Sequence, residues 1–151
     1  MTRRWPSCLI ALASLALAGW SLPAASVEFR SVAVDAAVMF DAPSRKARKL
    51  FILARNYPLE VLVSLDGWTK VRDATGELAW IEAGQLDARR MLLVKVARAQ
   101  VRQQPDEAAP LAFEVEQDVA LEMLEASGNY VRVRHADGAT GFIRITQVWG
   151  L

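Results

Sequence analysis

The chain has 151 residues, and its 18 Lys and Arg nearly balance its 17 Asp and Glu, for a formal net charge of +1. A chain this close to neutral has no general attraction for nucleic acid, because that affinity comes largely from neutralising phosphates. The single cysteine, Cys8, excludes an internal disulfide.

The first 26 residues predict export. Arg3 and Arg4 form a charged start, residues 8–22 are apolar and small, and residues 24–26 (Ala-Ala-Ser) offer a small-residue cleavage site. We expect a signal peptide over residues 1–26, and a periplasmic or secreted protein. The alternative is an uncleaved membrane anchor, because residues 5–27 are uncharged and long enough to span a bilayer.

Cleavage leaves 125 residues with a net charge of −1, since Arg3 and Arg4 leave with the signal. Cys8 leaves too, so the exported part must be held together by its core. A domain of about 60 residues buries only about 60% of its unfolded surface and is marginal alone. Contact between two such domains would therefore stabilise both by burying more surface.

Strand patterns follow in chain order. Residues 41–48 form an irregular loop around Pro43, and apolar residues then alternate with the period of two that is typical of strands. Asp66-Gly67 and Thr75-Gly76 supply turns between strands. The predicted strands are 49–53, 58–65, 68–72 and 78–82, followed by a short helical turn at 83–86.

The same pattern occurs again 62 residues later, without a gap. Trp68 falls on Tyr130, and Phe51 falls on Phe113. The predicted strands are 111–115, 120–125, 130–134 and 140–144, with a helical turn at 145–148. A repeat of this length is a small domain and not a solenoid unit.

Short strands joined by hairpin turns predict an all-β chain of two tandem small closed barrels, since closure removes sheet edges. We place the first domain at residues 27–88 and the second at 89–151. The polar linker is short, so the two domains should touch.

Residues 66–76 (Asp-Gly-Trp-Thr-Lys-Val-Arg-Asp-Ala-Thr-Gly) and 79–81 (Ala-Trp-Ile) resemble the bacterial SH3 (SH3b-like) family. The resemblance extends over most of residues 31–149 and implies two tandem SH3-like barrels that bind peptide or peptidoglycan. Ala79 and Tyr130 depart from the family's usual Gly and Trp. Residues 41–44 lack its usual Gly-Pro-Gly, and that loop often helps such domains to bind ligand.

Catalysis has little support in the sequence. Without Cys8 the exported part has no thiol nucleophile, and its one histidine, His135, lies beside a turn where we expect a solvated side chain. One histidine with scattered carboxylates does not make a zinc site. We expect no enzyme activity, no cofactor and no metal.

Three aromatic positions occur in both copies. We expect Phe51 and Trp80 to lie in the core, because both sit among aliphatic residues on alternating strands. Trp68 shares a face with Lys70 and Arg72, so it either completes the core or forms a platform for a ligand.

The two copies differ most in one loop, which is basic at residues 45–49 and acidic at the equivalent 107–111. The basic loop is interpreted as a solvated loop, as part of a pocket, or as a contact to acids of the second copy. Copy one also has aromatic residues where copy two has Arg102 and Val119. The predicted ligand site therefore lies on copy one, at Phe40, Arg45, Arg48, Tyr57 and Trp68.

Two functions remain open. The first is a non-enzymatic module of the cell envelope that binds a cell-wall peptide or peptidoglycan. The second is an assembly subunit that docks onto another envelope protein. A membrane partner is expected only if the signal is retained.

Overall fold

The computed structural model describes residues 27–151, and the predicted signal peptide lies outside the described residues. Nearly all regular structure in this part is strand, in two antiparallel sheets of seven strands each. The first sheet contains β1 (Glu28–Val32), β2 (Ala36–Phe40), β3 (Lys49–Ala54), β4 (Pro58–Leu65), β5 (Trp68–Arg72), β6 (Leu78–Glu82) and β7 (Leu86–Asp87). The second contains β8 (Met91–Val94), β9 (Arg98–Arg102), β10 (Leu111–Glu116), β11 (Ala120–Ser127), β12 (Tyr130–Arg134), β13 (Thr140–Arg144) and β14 (Val148–Trp149).

Both sheets have the same strand order. The first runs β3-β2-β6-β5-β4-β1-β7, and the second runs β10-β9-β13-β12-β11-β8-β14. Short 3-10 turns at Ala83–Gln85 and Ile145–Gln147 precede the last strand of each sheet. The predicted all-β fold of two tandem SH3-like barrels is confirmed. Within the described part of the chain, β3 and β7 each hydrogen-bond to one other strand only. They are therefore the two edge strands of the first sheet.

The hairpin turns have the backbone that their glycines predict. Gly67 follows β4 with a φ of 76°, and Gly138 follows β12 with a φ of 93°. Residues other than glycine rarely adopt these positive φ values, so the two glycines fix where the strands reverse.

The sequence patterns missed the first two strands of each barrel. In β8 the side chains of Met91, Leu92, Leu93 and Val94 are all buried, so no alternation exists to be read. This strand contributes to the core of its own barrel and also contacts β4 of the first. By contrast, β9 does alternate, with Ala99 and Val101 buried between polar neighbours.

The core of each barrel consists of side chains that point inward from alternating positions. Leu59, Val71 and Ile81 are almost fully buried in the first barrel. Their equivalents in the second barrel are buried to the same degree, namely Leu121, Val133 and Ile143. The repeat of 62 residues is therefore a repeat of core positions.

The prediction that Trp80 lies in the core is wrong. On β6 the side chains of Ala79 and Ile81 point inward, so Trp80 between them points outward and is half-buried. The Lys70 ammonium lies 6.0 Å from the centre of its ring. Phe51, in contrast, packs against the first core, as predicted.

The two barrels contact each other through their terminal strands. The rings of Phe29 and Trp149 meet edge to face, with 5.1 Å between centroids. The Arg90 guanidinium lies 5.7 Å from the centre of the Phe29 ring and donates a 3.0 Å hydrogen bond to the carbonyl oxygen of Gly150. The last polar residue before β8 thus joins the contact between the barrels.

Candidate functional site

The basic loop of the first barrel is tied to its own sheet. Arg45 donates hydrogen bonds from Nε and Nη2 to the two carboxylate oxygens of Glu82, at 3.1 and 2.5 Å. These bonds and the charge of Glu82 raise the pKa of the Arg45 guanidinium above its ordinary value. Arg45 is therefore held by an acidic residue of its own barrel. The interpretation that the loop contacts acids of the second copy does not apply to Arg45.

The ion pair lies beside Trp68, because Glu82 and Trp68 face each other across β5 and β6. Trp68 is half-buried and meets Phe40 edge to face, with 5.4 Å between ring centroids and an angle of 87°. Phe40 itself is only 5% exposed. It therefore supports the ring of Trp68 and offers little surface of its own to a ligand.

This outer surface extends along the same strands. Lys70 is opposite Trp80 in the ladder, and Phe40 is opposite Trp80 on the other side. We call this surface the Trp68 face; its members are Phe40, Arg45, Trp68, Lys70, Trp80 and Glu82.

Two of the predicted site residues have other positions. The Tyr57 hydroxyl lies near the backbone of Ala74, beyond the end of β5 opposite to Trp68, and the ring packs against the first core. Its burial raises the pKa of Tyr57 above the ordinary value of 10.0. Tyr57 thus does not share a site with Trp68, contrary to the prediction.

Arg48 remains on the basic loop but faces Asp41 instead of the ring of Trp68. Its Nε lies 3.3 Å from a carboxylate oxygen of Asp41, and its backbone N–H donates to the other oxygen at 3.1 Å. These bonds close the base of the loop. Of the five predicted residues, the structure therefore brings together Phe40, Arg45 and Trp68.

The second barrel carries a groove of about 440 Å³ at the equivalent place on its surface. We call it the arginine groove; it is lined chiefly by Arg98, Arg102, Glu107, Glu114, Tyr130 and Arg144. Sequence reasoning missed it, although the alternation of β9 and the shift of 62 residues from Phe40 to Arg102 were signals that could have found it.

Glu107 and Arg144 form an ion pair in this groove, at the positions of Arg45 and Glu82 in the first barrel. The loop is thus tied to the sheet in both barrels, with the charges exchanged. The hydroxyl of Tyr130 and the charge of Glu107 raise the pKa of Arg144 above its ordinary value. The Arg144 guanidinium also lies 5.9 Å from the centre of the Tyr130 ring.

His135 lies in the turn after β12, where its Nδ1 is 2.9 Å from a carboxylate oxygen of Asp137. A backbone hydrogen bond from Ala139, followed by the contact with His135, lowers the pKa of Asp137. Among residues 27–151, no three His, Cys, Asp or Glu side chains cluster closely enough to hold a metal ion. The same part of the chain contains no helix with the length and hydropathy required to cross a membrane.

The strand order, the repeated core and the loops tied to the sheet define a tandem of SH3-like barrels. A family model described as bacterial SH3 domain matches residues 33–88 and again residues 95–150. The chain therefore belongs to the bacterial SH3 domain family, as the resemblance at residues 66–81 predicted.

A comparison with curated proteins found no match. Among solved structures, the chain is similar to NlpC1 of Trichomonas vaginalis, at 17% identity over 85% of this chain and 47% of that one, with a TM-score of 0.39. NlpC2 of the same organism gives 18% identity, coverage of 82% and 47%, and a TM-score of 0.36. An NlpC/P60 family protein of Bacillus cereus ATCC 10987 is 16% identical over 81% of this chain and 56% of that one, with a TM-score of 0.37. The chain spans about half the length of these proteins.

Proposed function

We propose that this protein is a non-enzymatic binding module of the cell envelope that holds a peptide or a peptidoglycan-derived ligand. The observation that carries the proposal is the Trp68 face, where an accessible indole ring is fixed by Phe40 and flanked by an ion-paired arginine. The ligand class is the one that membership of the bacterial SH3 family implies.

The chemistry of this face suits an extended peptide. A tryptophan that is already packed supplies a large contact area at little cost in conformational entropy. On the same face Lys70 lies over the Trp80 ring, and Arg45, which is 78% exposed, pairs with Glu82 opposite Trp68. Side-chain or terminal carboxylates of a peptide could pair with these groups while its apolar parts cover the ring.

The absence of catalysis is part of the proposal. The one histidine is engaged with Asp137 in a surface turn, and residues 27–151 contain no cysteine. Incubation of purified sacculi with the protein should release no soluble fragments. Release that is abolished by substitution of a single carboxylate would overturn this part of the proposal.

Binding to sacculi tests the proposed ligand. Cosedimentation of the protein with purified peptidoglycan should weaken in Trp68→Ala and remain in Tyr130→Ala, the equivalent change in the second barrel. Each variant must first melt like the parent. Loss in Tyr130→Ala alone would assign the ligand to the second barrel, and no cosedimentation of the parent would remove peptidoglycan as the ligand.

A second candidate function is docking onto another envelope protein. The first barrel exposes several aliphatic side chains, among which Ile52 is 65% and Leu65 is 50% exposed. Crosslinking in cells followed by identification of the captured protein tests this. A crosslink at Ile52 that competes with sacculus binding would indicate that both partners use one surface.

Export to the envelope is also proposed, from residues 1–26. N-terminal sequencing of the protein from the envelope fraction should begin at Val27. Recovery of an intact N-terminus in membranes would instead show that these residues anchor the chain.

A further inference from the structure

The arginine groove is a concave surface that the Trp68 face does not include. Its walls come from strands β9, β10, β12 and β13 and from the loop that carries Glu107. A volume of about 440 Å³ lies within the range of small-ligand sites. The groove is large enough for an amino acid or a short peptide.

The guanidinium of Arg102 is held in position before any ligand arrives. Its Nη1 donates a 3.0 Å hydrogen bond to the carbonyl oxygen of Ala109, and its Nη2 donates a 2.6 Å bond to Oε1 of Gln100. A guanidinium carries more N–H donors than these two bonds use. Because the side chain is already ordered, a ligand that meets the remaining donors costs less conformational entropy.

The other two arginines of the groove each lie beside an acidic group. Arg98 lies 3.7 Å from a carboxylate oxygen of Glu114, and Arg144 pairs with Glu107. Both pairs are at the surface, and the side chains of Arg98 and Arg144 are 65% and 43% exposed. Exposed pairs of this kind are weak, so a ligand can engage their members.

The barrel fold does not require these charges. In the first barrel the positions of Arg98 and Arg102 are occupied by Ala36 and Phe40, and the position of Glu114 by the exposed Ile52. The same strands and the same core form with either set. The charged set therefore reflects the surface of the second barrel and not its folding.

The lining charges select a ligand class. Three arginines and two glutamates leave one net positive charge in the groove. A polyanion would be repelled by the two glutamates. An apolar ligand would displace the water that hydrates the arginines and would give them no hydrogen-bond partner in return.

We propose that the arginine groove binds a short zwitterionic peptide, or an amino acid, with one more negative than positive charge. Its carboxylates lie on Arg98 and Arg102, and its ammonium group lies near Glu107 or Glu114. The site is independent of the Trp68 face, which lies on the other barrel.

The probe is the tripeptide alanyl-glutamyl-alanine, which has two carboxylates and one ammonium group. Protein purified from cells that express the full chain is titrated, and amide chemical shifts are followed by NMR. We expect shifts around Arg102 and Tyr130, binding that weakens with salt, and a several-fold loss when the tripeptide is N-acetylated.

Arg102→Gln should weaken binding about tenfold, since a hydrogen bond to a charged group contributes about that factor. Arg98→Gln should act in the same direction while leaving the bond to Ala109 intact, so a folding defect in the first variant does not decide the outcome. Arg132→Gln is the matched control, on the same barrel but outside the groove, and should bind like the parent.

Three results would overturn the proposal. They are the absence of shifts in the groove at millimolar tripeptide, equal loss in Arg132→Gln, and inorganic phosphate binding as tightly as the tripeptide. Trp68→Ala should leave tripeptide binding unchanged, so this site and the proposed sacculus binding can fail separately.

Discussion

The two barrels share their inward-facing residues and differ in their outward-facing ones. Val71 and Val133 are equivalent and buried, as are Ile81 and Ile143. On the outer surface, the facing pair Val38 and Ile52 of the first barrel corresponds to Gln100 and Glu114 of the second. The difference teaches that inward positions specify this fold, while the outer surface is open to two chemistries.

The loop and its ion pair sharpen the comparison. Arg45 pairs with Glu82 in the first barrel, and Glu107 pairs with Arg144 in the second. The attraction between loop and sheet is the shared feature, and the sign of each charge is not. A basic loop in one barrel and an acidic loop in the other are therefore tied to the same position of the sheet.

The largest expected effect lies in the shared core. Ile81→Ala and Ile143→Ala should each lower the free energy of unfolding by about 2–5 kcal/mol, because each leaves a cavity in a small core. Trp80→Ala should cost clearly less than Ile81→Ala, since Trp80 points outward. Urea unfolding followed by circular dichroism measures all three, and an equal cost for Trp80→Ala would contradict the assignment of the two faces.

The next largest effect on stability is expected at a position where the two barrels differ, which is Gly141 in the second and Ala79 in the first. A Cβ on Gly141 would lie 2.6 Å from Cγ1 of Val101 and 2.7 Å from the backbone oxygen of Arg102. Gly141→Ala should therefore cost about 1–3 kcal/mol through overpacking. The first barrel already accommodates Ala79 here, buried at 2% exposure.

Ala79→Gly is the reciprocal variant and should cost about 1–2 kcal/mol, from a lost methyl group and a more flexible backbone. Thermal melting of both variants tests the pair. A harmless Gly141→Ala would mean that β9 and β13 can separate to accept the methyl group.

A smaller effect is expected from the exchanged ion pairs. Arg45→Glu should lower the melting temperature slightly, because it places two carboxylates together, and Glu82→Arg added to it should restore the parent value by creating the polarity of the second barrel. High salt should reduce both changes. If the double variant remains as unstable as the single one, polarity matters in the first barrel.

The smallest effect at neutral pH concerns Tyr57, which has no aromatic equivalent in the second barrel. Its pKa is raised by burial, so the folded state retains the proton after the unfolded state loses it near pH 10. Its contribution is fully present below that pH and is lost as pH rises through the folded-state pKa. Tyr57→Phe should therefore reduce the loss of stability in alkaline solution. Around neutral pH, the slope of the free energy of unfolding against pH should be nearly the same in the variant and the parent.

Much of the fold could be predicted from the sequence because its signals are local. The bounds of β4, β5, β6, β12 and β13 match the predicted strands. Alternation and turn glycines each act within a few residues and need no knowledge of partners. Where burial on both faces removes alternation, as in β8, the same method fails.

The candidate site was less accessible to this reasoning. The polar neighbours of Trp68 on β5 leave open whether its ring completes the core or forms a platform, and the structure places it half-buried beside Phe40. The prediction groups Tyr57 with Trp68 because the first copy has aromatic residues that the second lacks, and in the structure the length of β5 separates the two side chains. The basic loop predicted charge, but not that Arg45 would be engaged by Glu82.

The sequence by itself determined a tandem of small β-barrels, since a gap-free repeat of 62 residues with alternating strands admits few other folds. Tertiary structure alone decided which side of β6 faces the core and which charges meet across the loop. It also decided that the arginine groove opens on the second barrel. The physical reason is that side-chain period is a property of one strand, whereas a groove or an ion pair depends on the register between strands far apart in the chain.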